Sequence, residues 1–442
     1  MVTVNEIKVR VQSEIDCKGL EAVQVARAIL EDPEPGFREH RTAQRVAEKF
    51  RELGVFLEGG IAITGLRGII DTGRPGPTVA IMGELDSHIV PGHAYANPET
   101  NAAHACGHHC QIGSMLAAAI GLLAEGVLEN LSGRIALVAV PAEEYIELEF
   151  RDSLRAKGQL EFLGGKTEFI AKGALDDVDM AMMTHTITSS EDASIFIGGT
   201  NNGMIAKRVT FTGKAAHAGA SPHEGVNALN AANIAMSAIH AQRETYRDED
   251  TIRIHPIITQ GGASVSSVPA DVRMETFVRG KTIAAVLSAS EKVDRALRAG
   301  AMAVGGSVTI RTLPGYLPIQ HSAAMLDLYE SNAVRLVGKE NVVGLGHRTG
   351  STDMGDVSQI MPVIHPYVAA STGSSHGTDY VIEDYELAVV DAGKAMAMTV
   401  ADLLANDAQL AGEVKNQYHA PMTKEEYLFT LRGLFSEKTY ME

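Results

Sequence analysis

Three short apolar runs limit what this 442-residue chain can fold into. Pro77 to Gly83, Arg134 to Val140 and Asp179 to Thr184 are apolar nearly throughout rather than alternating. Such runs read as strands buried on both faces, and helix-length segments between them imply a mostly parallel sheet covered by helices. The first fifty residues read as two helices. Arg41 to Leu53 places Ala43, Val46, Ala47, Phe50 and Leu53 at helical spacing, and Ile112 to Leu123 reads as a helix of small and apolar residues. In such sheets active sites collect at the carboxyl ends of strands. Those ends carry Glu84 and Asp86, then Glu143 and Glu144, then His185.

The texture changes near Gly203. Ala206–Thr212, Ile252–Thr259, Val272–Val278 and Ser307–Thr312 read as strands. Helices from about Val226 to Ala241 and from Ile283 to Ala299 lie between them. This βαββαβ order describes a compact α+β unit inserted in the first domain. After Pro314 the earlier alternation resumes, with a buried strand at Pro362–Val368 and a long helix from about Tyr385 to Leu404. The expected division is 1–202, 203–313 and 314–442. The polar tail from Ala408 is expected to pack last or to contact a neighbour.

A length of 442 residues favours two domains, and 45% hydrophobic residues can fill their cores. A net charge of −17 disfavours nucleic acid and anionic membranes as partners. No uncharged apolar stretch reaches 18 residues, so no membrane-spanning helix is expected. The first residues lack a basic and apolar leader pattern, so no secretory signal is expected. Only three cysteines are present, Cys17, Cys106 and Cys110. That number argues for a reducing cytoplasm rather than a disulfide framework.

The segment His104-Ala105-Cys106-Gly107-His108-His109-Cys110-Gln111 holds three histidines and two cysteines within eight residues. Imidazole and thiolate are the donors preferred by zinc and its neighbours, and packing alone rarely concentrates them so. Cys106 and His108 can point the same way in an extended turn. The pair Glu143-Glu144 at a buried strand end would repel, and a cation explains it, with one Glu as ligand and the other as base. His185 and His376 follow buried strands. In the inserted unit His217 sits on a loop of small residues, Asn227 begins the next helix, and Arg279 can bind a carboxylate through its planar fork. His40, His223, His240, His255 and His419 read as surface or packing residues.

Together these motifs resemble the M20 metallopeptidase/amidohydrolase family, in its aminoacylase-like group. They occur in order over nearly the whole chain: Gly83-Glu84-Leu85-Asp86, the His-x-Cys-Gly-His segment, Pro141-Ala142-Glu143-Glu144, His185, the loop around His217, Val268-Pro269 with Arg279, Ser351-Thr352-Asp353-Met354, and His376. The resemblance implies an α/β metallopeptidase catalytic domain with an inserted lid and dimerisation domain. It implies one or two divalent transition metals (Zn, Mn or Co). Cys106 would bridge two ions, with His108 and His185 on one and Glu144 and His376 on the other. Glu143 would be the general base for a metal-activated water, Asp86 its orienting partner, and His217 an oxyanion donor from a partner subunit. The implied reaction cleaves the amide C–N bond of a small N-acyl or N-aroyl amino acid carrying a carboxylate, in a homodimer or higher oligomer.

The chain departs from the family where His109, Cys110 and Gln111 follow Cys-Gly-His. It departs again where Tyr145 and a charged insertion to about Leu163 replace a glycine run, and where Ser266 replaces an Asn. His109 and Tyr145 therefore stand as expected substrate contacts beside Arg279 and Asn227. These departures keep a second reaction open, hydrolytic deamination of an activated aromatic amine as in 5-nitroanthranilate aminohydrolase. A non-catalytic metal-binding homologue is the third expectation.

Overall fold

The computed structural model describes residues 2–189 and 193–441. A six-stranded sheet is built from β1 (Phe56–Ile61), β2 (Gly65–Asp71), β3 (Thr78–Glu84), β4 (Arg134–Val140), β5 (Met180–Met182) and the short strand Val363–Ile364. The order is β1-β2-β4-β3-β5, then Val363–Ile364. Neighbours run parallel from β4 onward, while β1 and β2 form an antiparallel margin. Every residue of β3 is buried, as expected for a strand covered on both faces. Val79 and Ile81 face one core, with α1 (Val4–Leu30), α2 (His40–Glu52), α3 (His108–Leu122) and the helix Ala392–Gln417. Ala80 and Met82 face the other. Helix α3 is buried all round, so it lies inside the layer rather than on it.

The charged insertion after Tyr145 folds into α4 (Leu148–Ala156), and α5 (Gly165–Ala171) follows it under the second core. The inserted unit comprises β6 (Gly203–Thr212), α6 (Ala228–Ala241), β7 (Arg253–Gln260), β8 (Asp271–Gly280), α7 (Ile283–Val304) and β9 (Ser307–Pro314). Burial alternates along β8, as period-two geometry demands. Val272, Met274 and Val278 pack against α6 and α7 through Ala231, Val286 and Leu297. At the site end the opposite face meets the insertion, where Met204, Ala206 and Leu313 contact Tyr145, Leu148 and Leu163.

The structure revises four expectations. Pro362–Val368 is two strands, not one. Val363–Ile364 pairs with β5, whereas Tyr367–Thr372 pairs with the strand His185–Thr188. His365 and Pro366 lie between them, and Pro has no N–H to continue a ladder. Helix α3 begins at His108, four residues earlier than expected, because its N-cap Gly107 offers no side-chain signal. The late helix begins as a π-helical segment, Glu386–Asp391, and has non-helical backbone at Ala405–Ala408. The tail forms a capped helix, Lys424–Leu434, and then β10 (Ser436–Met441), which pairs antiparallel with β9. The final strand therefore joins the sheet of the inserted unit, giving the order β7-β8-β6-β9-β10. Among the described residues no helix is long and apolar enough to cross a membrane.

Asp152 on α4 clamps the inserted sheet, accepting from Arg208 at 2.6 Å on β6 and from Arg311 at 2.8 Å on β9. Asp152→Ala leaves both guanidiniums without this partner. The expected cost is about 2 kcal/mol, below that of breaking a fully buried pair because both arginines are partly solvated. Urea unfolding should show it, with faster hydrogen exchange in β6 and β9.

Candidate metal centre

Segments from the ends of β3, β4, the strand His185–Thr188 and the turn at His376 converge on one cavity of about 390 Å³. Two groups of donor atoms meet there, and a third adjoins them. Cys106, His108 and His185 form the first, with Cys106 Sγ 3.4 Å from His185 Nε2. His88, Glu144 and His376 form the second. His376 Nε2 lies 3.2 Å from Glu144 Oε1, and His88 Nε2 lies 4.0 Å from Glu144 Oε2. Glu84, His108 and Glu143 form the third, with His108 Nε2 3.0 Å from Glu84 and 3.8 Å from Glu143.

Local backbone geometry makes this convergence possible. Gly107 has φ +85°, and a Cβ there would collide with the Thr186 hydroxyl, so only glycine can join Cys106 to His108. Ala142 and His376 hold left-handed backbone at φ +57° and +63°, a strain typical of functional sites. Ala142 is held by Glu39, which accepts from its N–H at 2.8 Å and from Thr64 Oγ1 at 2.7 Å. Burial, with the nearby charge of Asp86, pushes the Glu39 carboxyl up to about 8. Arg151 is fully buried and donates to the carbonyls of Ala142, Glu144 and Leu163, tying the insertion to this loop. Asp86 organises the centre from behind. Its carboxylate accepts from the N–H groups of Glu143 at 3.1 Å and Glu144 at 2.9 Å, and its carbonyl accepts from His108 Nδ1 at 2.9 Å.

The electrostatics favour a cation. Burial, then the charges of Glu84, Asp353 and Glu144, hold the Glu143 carboxyl well above its usual range. Burial and Glu144 oppose ionisation of Cys106, yet His185, His108 and His376 hold its thiol well below the ordinary value. Glu144 pushes His376 up to about 11. Glu84 Oε2 and His108 Nε2 lie 3.0 Å apart and Glu144 Oε1 lies 3.2 Å from His376 Nε2, yet among the described residues none of these three atoms completes a well-aligned hydrogen bond. Buried polar atoms are normally satisfied, so carboxylate and imidazole atoms held this close without a hydrogen bond between them fit a divalent metal. The donor set of one thiolate, imidazoles and carboxylates suits zinc, manganese or cobalt.

Beneath this centre lies an ion triad that did not stand out in the sequence. Lys166 Nζ, fully buried, is paired with both Glu84 and Asp353. Burial opposes its charge, but these two carboxylates hold it above the usual lysine value. Asp353 belongs to the Ser-Thr-Asp-Met motif, which thus acts through Lys166 and Glu84 toward His108.

The cavity lining also includes Tyr145, Phe277, Arg279 and Arg348. Arg279 lies above the Phe277 ring with Nε unpartnered. Tyr145 is there too, but its hydroxyl donates to the Pro314 carbonyl, which makes it a wall rather than a free donor. His88, Arg348 and His365 also line the cavity, and none stood out in the sequence. Arg348 Nη1 and both nitrogens of His365 are buried without partners.

Three expected substrate or transition-state contacts are elsewhere. His109 follows His108 by one helical step of about 100° and so faces the back of α3. It lines a separate cavity with His104 and Tyr385. Asn227 caps α6, accepting from the N–H groups of Leu229 at 2.9 Å and Asn230 at 3.0 Å. His217 is exposed and outside the cavity of its own chain. Its Nδ1 accepts from Gly219 and Ala220, both at 3.1 Å, which leaves Nε2–H as an outward donor. Of the features that motivated ring deamination, His109 thus lines a different cavity and the Tyr145 hydroxyl is engaged. Burial pushes the Cys110 thiol up, as in inert core cysteines.

Residues 200–303 match a family described as a peptidase dimerisation domain. The chain is 30% identical over 340 residues to Xaa-Arg dipeptidase of Mus musculus, covering 74% of this chain and 72% of that protein. It is 28% identical over 335 residues to one component of the p-aminobenzoyl-glutamate hydrolase of Escherichia coli, covering 71% of each. Its fold resembles that of a dinuclear metal-binding peptidase from the M20 family of Bacillus subtilis. There the TM-score is 0.64 at 19% identity, over 88% of this chain and 99% of that one.

Lys166→Met would leave Glu84 and Asp353 buried without their cation. The expected loss is about 3–5 kcal/mol in chemical unfolding, the range for removing one partner of a buried pair. Lys166→Arg, which keeps the charge, should lose less; equal loss in both variants would point to packing instead of charge.

Proposed function

The chain belongs to the M20 metallopeptidase/amidohydrolase family, and from that premise we propose a metal-dependent hydrolase in which Glu143 is the general base. It cleaves the amide C–N bond of a small N-acyl or N-aroyl amino acid. The relatives named for dipeptides and for p-aminobenzoyl-glutamate are consistent with this bond type. The single observation behind the role of Glu143 is its position. It lies in the cavity, 3.8 Å from His108 Nε2 and adjacent in sequence to the donor Glu144, yet its backbone is anchored by Asp86.

Zinc, manganese or cobalt, as one or two ions held by Cys106, His108, His185, Glu144 and His376, would polarise the scissile carbonyl and acidify water to a pKa of about 7. The chain's own groups supply the rest. Glu143 takes a proton and returns it to the leaving amine, and burial keeps its affinity for that proton high. Asp86 holds Glu143 and Glu144 from the backbone side. Arg279, with Arg348 on the same wall, pairs with the substrate carboxylate. Tyr145 and Phe277 pack against each other and exclude water from that wall.

The working form is a homodimer, or a higher oligomer, joined through the inserted unit. The match to a dimerisation domain supports this. So does the exposed His217, whose Nε2 has no hydrogen-bond partner among the described residues. The partner subunit's His217 completes the site by donating to the oxyanion, an electrostatic contribution of about 3 kcal/mol for one such donor.

Metal-loaded protein should release the free amino acid from a panel of N-acyl and N-aroyl amino acids. Glu143→Gln should lower kcat by about 10²–10⁴-fold while metal content is unchanged. Full activity in Glu143→Gln would remove the assigned base. Ammonia released from an aromatic amine, with no acyl product, would replace the amide reaction with ring deamination.

A further inference from the structure

His88 is not among the ligands that the family resemblance implies. It lies two residues past Asp86 in the short strand His88–Ile89, and its ring stacks on His376 with centroids 4.4 Å apart. Three histidines at this centre share one device. Each places Nδ1 on a backbone carbonyl: His108 on Asp86 at 2.9 Å, His185 on Thr186 at 2.6 Å, and His88 on Ile89 at 3.0 Å. Such a bond fixes the proton on Nδ1 and presents the Nε2 lone pair, which is how metal-binding histidines are oriented. For His108 and His185 the presented Nε2 points into the thiolate group. For His88 it points toward Glu144 and His376, all three donor atoms lying within 4.8 Å of one another.

We infer that His88 is a metal ligand, which gives the second cation position three protein ligands of its own: His88, Glu144 and His376. The centre is then two separable sites, not one pair dependent on a bridging Cys106. The first, with Cys106, His108 and His185, contains a thiolate and suits zinc or cobalt. The second has two imidazoles and one carboxylate, a set that also accepts manganese or iron(II). His88 has this role only if the cavity is the metal centre of the hydrolase proposed above.

The test is a Co(II) titration of metal-depleted protein followed by absorbance and by metal analysis after gel filtration. Wild type should take two equivalents, one of them producing a thiolate-to-cobalt charge-transfer band. His88→Ala should keep that equivalent and its band, and bind the other at least about 100-fold more weakly, since even a supporting partner costs up to that much. His88→Asp, which restores a donor, should regain the second equivalent. Two equivalents bound by His88→Ala with wild-type affinities would overturn the assignment of His88 and leave the hydrolase reading intact. No cobalt bound by wild type would overturn the metal-centre reading itself.

Discussion

Buried negative charge at the ends of β3 and β4 is the constraint on which the rest of this structure depends. Glu84, Asp86, Glu144 and Asp353 are all nearly inaccessible, and Glu143 stands beside them. Each carboxylate withdrawn from water costs several kcal/mol even after relaxation. The fold offsets this in layers. Lys166 is placed at full burial between Glu84 and Asp353. Asp86 is met by two backbone N–H groups. Imidazoles face Glu84 and Glu144 at 3.0 and 3.2 Å. A divalent cation would supply the remaining counter-charge, which would couple metal binding to the stability of this region.

The insertion between Glu144 and Gly164 serves both domains. Arg151 within it donates to the carbonyls of Ala142 and Glu144, so it sets the conformation of the loop that carries both glutamates. From the same helix Asp152 and Glu149 reach Arg208, Arg311 and Arg273 on the inserted sheet. Tyr145 and Leu163 close the seam against Met204 and Leu313. The wall bearing Arg279 is thereby referenced to the wall bearing Glu143. Strand β10 adds a further tie, because the end of the chain returns to the sheet edge at β9.

What the sequence revealed follows from how local each signal is. The buried strands and the acids and His185 at their ends were legible, since an apolar run announces both strand and terminus. The βαββαβ unit was legible from its alternating periods. His88 was not, because its partners Glu144 and His376 are distant in the chain and only the fold unites them. Lys166 was not, since a lysine ordinarily reads as surface. The start of α3 was misplaced because Gly107 caps it without a side chain, and His109 was expected in the site because the chain leaves the family motif there, a departure that does not reveal which way its ring faces. Ser436–Met441 carries the charged pair Glu437-Lys438 and is exposed along most of its length, which conceals an edge strand. His365 was hidden in a run that Pro366 breaks.

The central claim is that the donor atoms converging on the cavity form a metal centre with two cation positions beside Glu143. Crystals of the protein purified without chelators, measured above and below the zinc and manganese absorption edges, test it directly. The account predicts two anomalous peaks, one against Cys106, His108 and His185, the other among His88, Glu144 and His376. A single peak shared by both groups would contradict the two-position arrangement, and no peak in the cavity would contradict the metal centre.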